Sequence, residues 1–114
     1  MEIQTTDIDQ IRIVRLEGRI LGETATDPLL EYFNASLASG IKKFAVDLQG
    51  LSHINSLGLG LMVTLNTRIL NQGGRIIFYH SNPLTTKLFK VTRLDQVLEV
   101  CEQESSAIDI LNAT

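Results

Sequence analysis

The residue that could most readily take part in chemistry is Ser56, in the stretch LSHINSLGLG at residues 51–60. The run at residues 44–48 has the character of a buried strand, and the run at residues 61–65 has that of a helix. We therefore expect Ser56 at or next to a helix N-terminus, where free backbone N–H groups and the helix dipole favour an anion. Asn55 and Ser56 form a polar pair suited to capping that helix. The serine itself either caps the helix or accepts a phosphoryl group, and the local motif supports both roles.

Two enzyme-like interpretations of the same stretch have little support. His53 lies three residues before Ser56, but Ile54 stands where the nucleophile elbow of a serine hydrolase has its first glycine. Gly58 and Gly60 lack the third glycine and the acidic residue of a dinucleotide-binding motif. We therefore predict that the protein is not an enzyme.

We predict structural rather than chemical roles for the other ionisable residues. Asp47, at the end of a strand, could be a ligand or a base but is predicted to bond to the following loop. His53 and His80 are predicted to be surface or hydrogen-bonded histidines. Cys101 has no neighbouring lysine or arginine to lower its pKa, so we expect a buried, inert thiol. Glu102 and Glu104 are predicted to line the solvated start of a helix.

Composition narrows the class of protein. A chain of 114 residues with 44% apolar and 20% charged side chains suits one folded domain over residues 1–114. The net charge of −3 gives no support to nonspecific nucleic-acid binding. The single cysteine excludes an intramolecular disulfide, no metal-type spacing exists, and no cofactor is expected. With neither a signal peptide nor an apolar run of about 20 residues, we expect a cytoplasmic protein without direct membrane insertion.

The N-terminal part of the sequence predicts a β-hairpin. A first strand begins near Ile3, residues 7–10 form the turn, and residues 11–17 form the second strand. Strict alternation slips around Val14, which predicts a bulge or burial on both faces.

A loop and a first helix are predicted next. Glycines punctuate a loop over residues 18–24, and the helix starts at Thr26 or Asp27 with Pro28 at an early position. Gly40 is predicted to end the helix. The apolar stripe at helical spacing consists of Leu29, Leu30, Phe33 and Leu37.

The rest of the chain alternates strands with helices. The predicted elements are a strand at 44–48, a helix from Ser56 that stops at 71–74, a strand at 75–79, a helix at 84–91 capped by 81–83, a strand at 97–100 and a helix at 105–111. This order predicts right-handed crossovers and an α/β fold, a mixed, largely parallel sheet with an N-terminal β-hairpin and about four helices packed on it.

Periodicity also predicts the faces of two helices. In the helix after Ser56, one side carries Leu59, Met62, Asn66 and Ile69, while Leu61, Leu65 and Arg68 turn away from it. In the helix at 84–91, one face carries Leu84, Leu88 and Val91.

Residues 47–60 (DLQGLSHINSLGLG) resemble the signature of the STAS domain, specifically of the stand-alone bacterial anti-sigma factor antagonists. The usual family pattern is a strand ending in an Asp-Leu-like pair, followed by a loop to Asp-Ser-Ser/Thr-Gly-Leu-Gly. Supporting matches extend over nearly the whole chain and comprise residues 16–20, Gly73 with Gly74, Asn82 with Pro83, Leu88 with Phe89, and Leu94.

This resemblance implies a partner switch controlled at Ser56, which stands at the family's phosphoacceptor position. A cognate serine kinase of the GHKL type, which is also the anti-sigma factor, would phosphorylate Ser56, and a serine phosphatase would reset it. The unphosphorylated form would bind the anti-sigma factor and free the sigma factor. The expected partner-binding residues are Arg19, Leu21, Glu23, Asn55, Ser56, Leu57, Gly58 and Leu59.

Three positions depart from the family pattern. Asn55 stands where the family usually has Asp, Leu57 stands where it usually has Ser or Thr, and Leu21 with Gly22 occupies a stretch where many members carry an Asp. An alternative is an accessory subunit that binds the cytoplasmic ATPase of a lipid-transport complex, in which the helix start would be a constitutive contact suited to Leu57. A third interpretation, a small hydrolase or nucleotide-binding enzyme, predicts turnover that Ser56→Ala abolishes.

Overall fold

The computed structural model describes residues 1–114 and contains one five-stranded sheet in the order β1-β2-β3-β4-β5. β1 (Glu2–Ile8) is antiparallel to β2 (Ile11–Ile20), whereas β3 (Lys43–Ile54), β4 (Arg75–Tyr79) and β5 (Glu99–Val100) extend the sheet in parallel. Parallel neighbours need a crossover connection, and each crossover in this chain contains a helix. The predicted α/β class with an N-terminal hairpin and a largely parallel sheet is confirmed.

Four helices cover the two faces of the sheet: α1 (Glu23–Ala38), α2 (Ser56–Asn71), α3 (Pro83–Val91) and α4 (Glu104–Asn112). Side chains of α1, α2 and α3 join the larger core on one face, and α4 closes a smaller core on the other. None of these helices has the length and apolar character that crossing a membrane requires.

β2 contributes to both cores, which explains why its apolar residues do not alternate strictly. Val14 lies in the larger core, whereas Ile11 and Ile13 lie in the smaller core under α4. The pairing of β2 with β3 also shifts register between Arg15 and Glu17. A bulge and burial on both faces were predicted as alternatives, and β2 has both an irregular register and two buried faces.

The hairpin turn is shorter than predicted. β1 continues through Ile8, so only Asp9 and Gln10 form the turn. Both residues have positive φ, 53° and 67°, as in the type I′ turns that match the twist of two hairpin strands.

β2 and β3 continue past the end of β4 and pair with each other there. Gly18 lies opposite Leu51, whereas β4 ends beside Asp47. The predicted loop over residues 18–24 is therefore wrong, because strand pairing includes Gly18 at a φ of +111° that glycine adopts readily. The predicted strand at 44–48 is the first half of a longer one.

α1 begins at Glu23, one turn before the predicted start at Thr26 or Asp27. The N–H groups of Ala25 and Thr26 both donate to the carbonyl of Gly22, at 3.0 and 3.1 Å, which establishes the earlier turn. A link of only two residues therefore joins β2 to α1.

The end of α1 was predicted correctly. Gly40 has a φ of +100° and follows the C-cap Ser39. The N–H of Gly40 donates to Leu37 and that of Ile41 to Ser36, at 3.0 and 3.1 Å, the paired bonds of a Schellman motif.

α2 is buried over a wider arc than predicted. Leu59, Met62 and Ile69 are buried as expected, but Leu61 and Leu65 are also buried. α2 packs against α1 as well as against the sheet, so a second side of the helix is covered. Arg68 remains exposed.

The predicted face of α3 is wrong at Leu84 and Val91, whereas its third member, Leu88, packs against the larger core. Leu84 is 52% exposed and Val91 is 71% exposed, whereas Thr85 and Phe89 are buried. The helix is rotated so that its one aromatic side chain, which buries the most apolar area, enters the core. The predicted final strand at 97–100 is also shorter, because Leu94–Gln96 forms a 3-10 turn and only Glu99–Val100 pairs with β4.

Candidate functional site

Asn55 is the N-cap of α2. Its side-chain Oδ1 accepts hydrogen bonds from the backbone N–H groups of Leu57 and Gly58, at 3.1 and 3.3 Å. A capping role for the pair of residues 55 and 56 was predicted, and the structure gives it to Asn55. An N-cap of this kind typically contributes about 1 kcal/mol to stability.

Ser56 is the first residue of α2, and its side chain is exposed. Because Asn55 supplies the cap, the hydroxyl of Ser56 is left without a hydrogen-bond partner in the protein. The first turn of α2 contains no acidic residue that would repel an added anion. The hydroxyl is therefore open to an incoming reagent and lies at the positive end of the helix dipole.

Asn55 also joins α2 to the end of β2. Its backbone N–H donates to the carbonyl of Ile20 at 3.2 Å, and its side-chain Nδ2 donates to the carbonyl of Leu21 at 2.9 Å. The two-residue link before α1 is thereby held beside the first turn of α2. Two segments that are far apart in the sequence form one surface.

The predicted partner-binding residues divide into exposed and buried sets. Exposed side chains belong to Arg19, Leu21, Glu23, Ser56 and Leu57, and Asn55 is half-buried. Leu21 is 46% exposed and Leu57 is 52% exposed. Gly58 and Leu59 are buried, Gly58 against Ile54 and Ile20 and Leu59 in the larger core, so they are not part of the exposed surface.

The structure does not bring together a serine–histidine pair at Ser56. The Nδ1 atom of His53 lies 3.1 Å from Oγ of the neighbouring Ser52. That hydroxyl donates to the backbone carbonyl of Gly18 at 3.0 Å. The histidine is exposed and bonded locally, as the sequence predicted.

Asp47 accepts hydrogen bonds at the carboxyl end of β3. Its Oδ1 accepts from the backbone N–H of Gln49 at 2.9 Å, and Nδ1 of His80 lies 3.2 Å from the same oxygen. The predicted loop-bonding carboxylate and hydrogen-bonded histidine are both confirmed. No group of three or more histidine, cysteine, aspartate or glutamate side chains is placed to hold a metal ion.

Glu104 ties α4 to the sheet. It is the first residue of the helix, as predicted, but its carboxylate is half-buried and bonded rather than solvated. The hydroxyl of Tyr79 donates to Oε1 of Glu104 at 2.6 Å, and Nη2 of Arg15 donates to the same oxygen at 2.8 Å. Burial, together with the bond to Glu104, raises the pKa of Tyr79 far above its usual range. Sequence spacing gave no sign of this contact, because the three residues belong to different elements.

Cys101 is half-buried rather than buried. Burial raises the pKa of its thiol, which keeps the less reactive, protonated form at neutral pH. The predicted unreactive character of this cysteine agrees with that direction.

These features define a small α/β domain in which an exposed serine opens the second helix beside the end of β2. The family model of the STAS domain matches residues 2–107. The chain belongs to the STAS domain family.

Solved structures of similar shape include several anti-sigma factor antagonists. One from Thermotoga maritima, described as putative, has a TM-score of 0.87 and 20% identity, over 96% of this chain and 94% of that chain. One from Mycobacterium paratuberculosis has a TM-score of 0.82 and 20% identity, over 97% and 93%. The Bacillus cell fate determinant SpoIIAA, in its phosphorylated form, has a TM-score of 0.72 and 21% identity, over 95% and 97%. At such identities the likeness establishes the fold.

Proposed function

We propose that this protein is an anti-sigma factor antagonist, a regulatory binding module whose docking surface consists of Arg19, Leu21, Glu23, Asn55, Ser56 and Leu57. The observation that carries the proposal is the free, exposed hydroxyl of Ser56 at the start of α2. In this role the protein is the substrate of a serine kinase and the ligand of an anti-sigma factor, and it is not itself a catalyst. The similarity to anti-sigma factor antagonists supports this assignment.

Phosphorylation of Ser56 is compatible with the folded state. A phosphoserine carries a charge of about −1.5 to −2 at neutral pH, and the N-terminus of a helix stabilises a nearby anion by about 0.3 to 1 kcal/mol. The neutral amide of Asn55 adds no repulsive charge beside the phosphate. The modified chain should therefore keep its fold.

Phosphorylation should act on the complex instead. The docking surface presents two exposed leucines, Leu21 and Leu57. The side chain of Asn55 is hydrogen-bonded to the backbone of both residues. An apolar contact over this surface would bury a dianion on Ser56, and burial of an uncompensated charge is strongly unfavourable. The unphosphorylated form would bind the anti-sigma factor, and the phosphorylated form would release it until a serine phosphatase removes the group.

The direct test uses a candidate kinase of the GHKL type, encoded near this gene, with ATP. We expect intact-mass spectrometry to show one added phosphoryl group, and peptide mapping to locate it at Ser56. Ser56→Ala should abolish the addition. Ser52→Ala is the matched control, because Ser52 is an exposed serine nearby whose hydroxyl is already bonded to Gly18.

Partner affinity gives a second test. Wild type and Ser56→Ala should bind the anti-sigma factor equally well, and Ser56→Asp should bind it more weakly. Equal affinity of all three proteins would contradict the proposed switch.

The exposure of Leu57 favours one alternative, a constitutive contact with the ATPase of a transport complex. An apolar side chain at this position suits a permanent interface better than a second hydroxyl does. Affinity capture from cells distinguishes the two functions. Recovery of a GHKL-type kinase that modifies Ser56 supports the first, and recovery of an ABC-type ATPase with Ser56 unmodified supports the second.

A further inference from the structure

Two asparagine caps share an arrangement at the carboxyl end of the sheet. Asn55 caps α2 through Oδ1 and donates Nδ2 to the carbonyl of Leu21 at 2.9 Å. Asn82 caps α3 by accepting the N–H of Thr85 at 2.8 Å, and donates Nδ2 to the carbonyl of Leu51 at 2.7 Å. In each asparagine, the side-chain oxygen accepts a hydrogen bond from the first turn of a helix. The side-chain nitrogen donates one to a strand or to the link that follows a strand. An ionised aspartate could keep the first bond but has no donor for the second.

We propose that Asn55 is a positioning residue that holds Leu21 and Leu57 in place as one preformed contact, and that this task needs an amide rather than a carboxylate. The docking role of that contact rests on the proposed function. The tether between Asn55 and Leu21 is a property of the isolated chain.

Leu21 lies between two anchored residues, and the hydrogen bond made to Leu21 itself comes from the side chain of Asn55. The side chain of Leu21 is 46% exposed, and the following residue, Gly22, has no side chain to pack. The carbonyl of Gly22 is engaged by the first turn of α1, whereas the carbonyls of Ile20 and Leu21 both accept from Asn55. Asn55 therefore links this segment to α2 twice, through its backbone N–H to the buried Ile20 and through its side chain to Leu21, and only the second bond depends on the amide.

A leucine that is already fixed in position lowers the entropic cost of binding a partner. A flexible contact residue loses conformational freedom when a partner docks, and a preformed one has already lost it. The amide at position 55 has a second consequence, because the group that is bonded to the backbone of both Leu21 and Leu57 carries no formal charge. The partner surface that meets these leucines should accordingly be apolar and should need no cation opposite residue 55.

The isolated protein provides the first test, with Asn55→Asp, Asn55→Ser and Asn82→Asp. Both replacements at residue 55 can still cap α2, but ionised aspartate lacks the donor and serine has a shorter side chain without the amide. We expect the backbone order parameters of Leu21 and Gly22 to fall from about 0.85 to below about 0.6 in both Asn55 variants. Asn82→Asp, which removes the equivalent donor at α3, should leave these two order parameters unchanged.

Two outcomes would overturn the tether. One is an Asn55→Ser variant with Leu21 as rigid as in the wild type, which would mean that only the new charge in Asn55→Asp matters. The other is equal loosening of Leu21 by Asn82→Asp, which would mean that any weakening of the sheet end has the same effect.

The second test measures affinity for the partner that the kinase experiment identifies. Both Asn55 variants should bind about 5- to 10-fold more weakly, the usual effect of one lost hydrogen bond, and Asn82→Asp should bind like the wild type. A mobile Leu21 with unchanged affinity would overturn the presenting role of Asn55, whatever happens at Ser56. Failure of the kinase to modify Ser56 would contradict the proposed function and leave the order-parameter result standing.

Discussion

A methyl group on Gly58 would lie only 2.5 Å from Cγ1 of Ile54. It would also lie 2.8 Å from Cγ2 of Ile20, which is the residue paired with Ile54 at the ends of β2 and β3. The first turn of α2 therefore rests directly on the last pair of the parallel ladder. This close approach determines where Ser56 stands relative to the link before α1.

Replacement of Gly58 by alanine should destabilise the protein by about 1 to 3 kcal/mol, because the methyl group overpacks a closed contact. Urea denaturation of the purified variant measures the change. Gly60→Ala is the matched control in the same helix, since no heavy atom outside its local backbone lies within 4 Å of the added carbon. It should stabilise the protein by about 0.5 to 1 kcal/mol through the better helix propensity of alanine. Equal effects of the two substitutions would contradict this packing.

The orientation of α3 can be tested at two neighbouring residues. Phe89→Ala should cost about 3 to 5 kcal/mol, because Phe89 is buried in the larger core. Val91→Ala should change the free energy of unfolding by less than about 0.5 kcal/mol, because Val91 is 71% exposed. The face predicted from sequence, with Leu84 and Val91 inward, requires a large effect at Val91. Thermal or urea denaturation decides between the two orientations.

The anchor of α4 can be tested at Glu104. Glu104→Ala should destabilise the protein by about 1 to 3 kcal/mol, because the hydroxyl of the buried Tyr79 loses its acceptor. Asp109→Ala, at an exposed position of the same helix, is expected to change stability by less than about 0.5 kcal/mol. The double variant Glu104→Ala with Tyr79→Phe should be less destabilised than the sum of the single variants. Additive effects would mean that the two side chains do not interact.

Alkaline pH should weaken the folded state through Tyr79. Burial and the bond to Glu104 raise the pKa of Tyr79 above its ordinary value of 10.0. Above about pH 10 the unfolded chain loses a proton that the folded chain keeps, so the free energy of unfolding falls as the pH rises. Tyr79→Phe should make this decline shallower, as measured by urea denaturation at about pH 8 and about pH 10.5. Parallel declines in the wild type and the variant would exclude a contribution from Tyr79.

Local sequence signals predicted the elements well where short-range chemistry determines the outcome. Gly40 ends α1 because only a short stretch of backbone needs to turn, and Asn82 with Pro83 starts α3 because a cap and a fixed φ act within one turn. The same signals failed at Gly18, where a residue typical of loops lies in a strand. Its partner, Leu51, is 33 positions away in the sequence, and no local propensity encodes that pairing.

The candidate site shows the same division. The sequence alone placed Ser56 at a helix start, assigned a cap to the pair that includes Asn55, and showed the resemblance that the STAS family model confirms. Only the tertiary structure decided that Asn55 takes the cap and leaves Ser56 free, that Leu21 lies beside α2, and that Gly58 and Leu59 face inward. The physical reason is that patterning fixes which segments become helices and strands, whereas the side chains that meet between segments depend on register and close packing across long sequence separations.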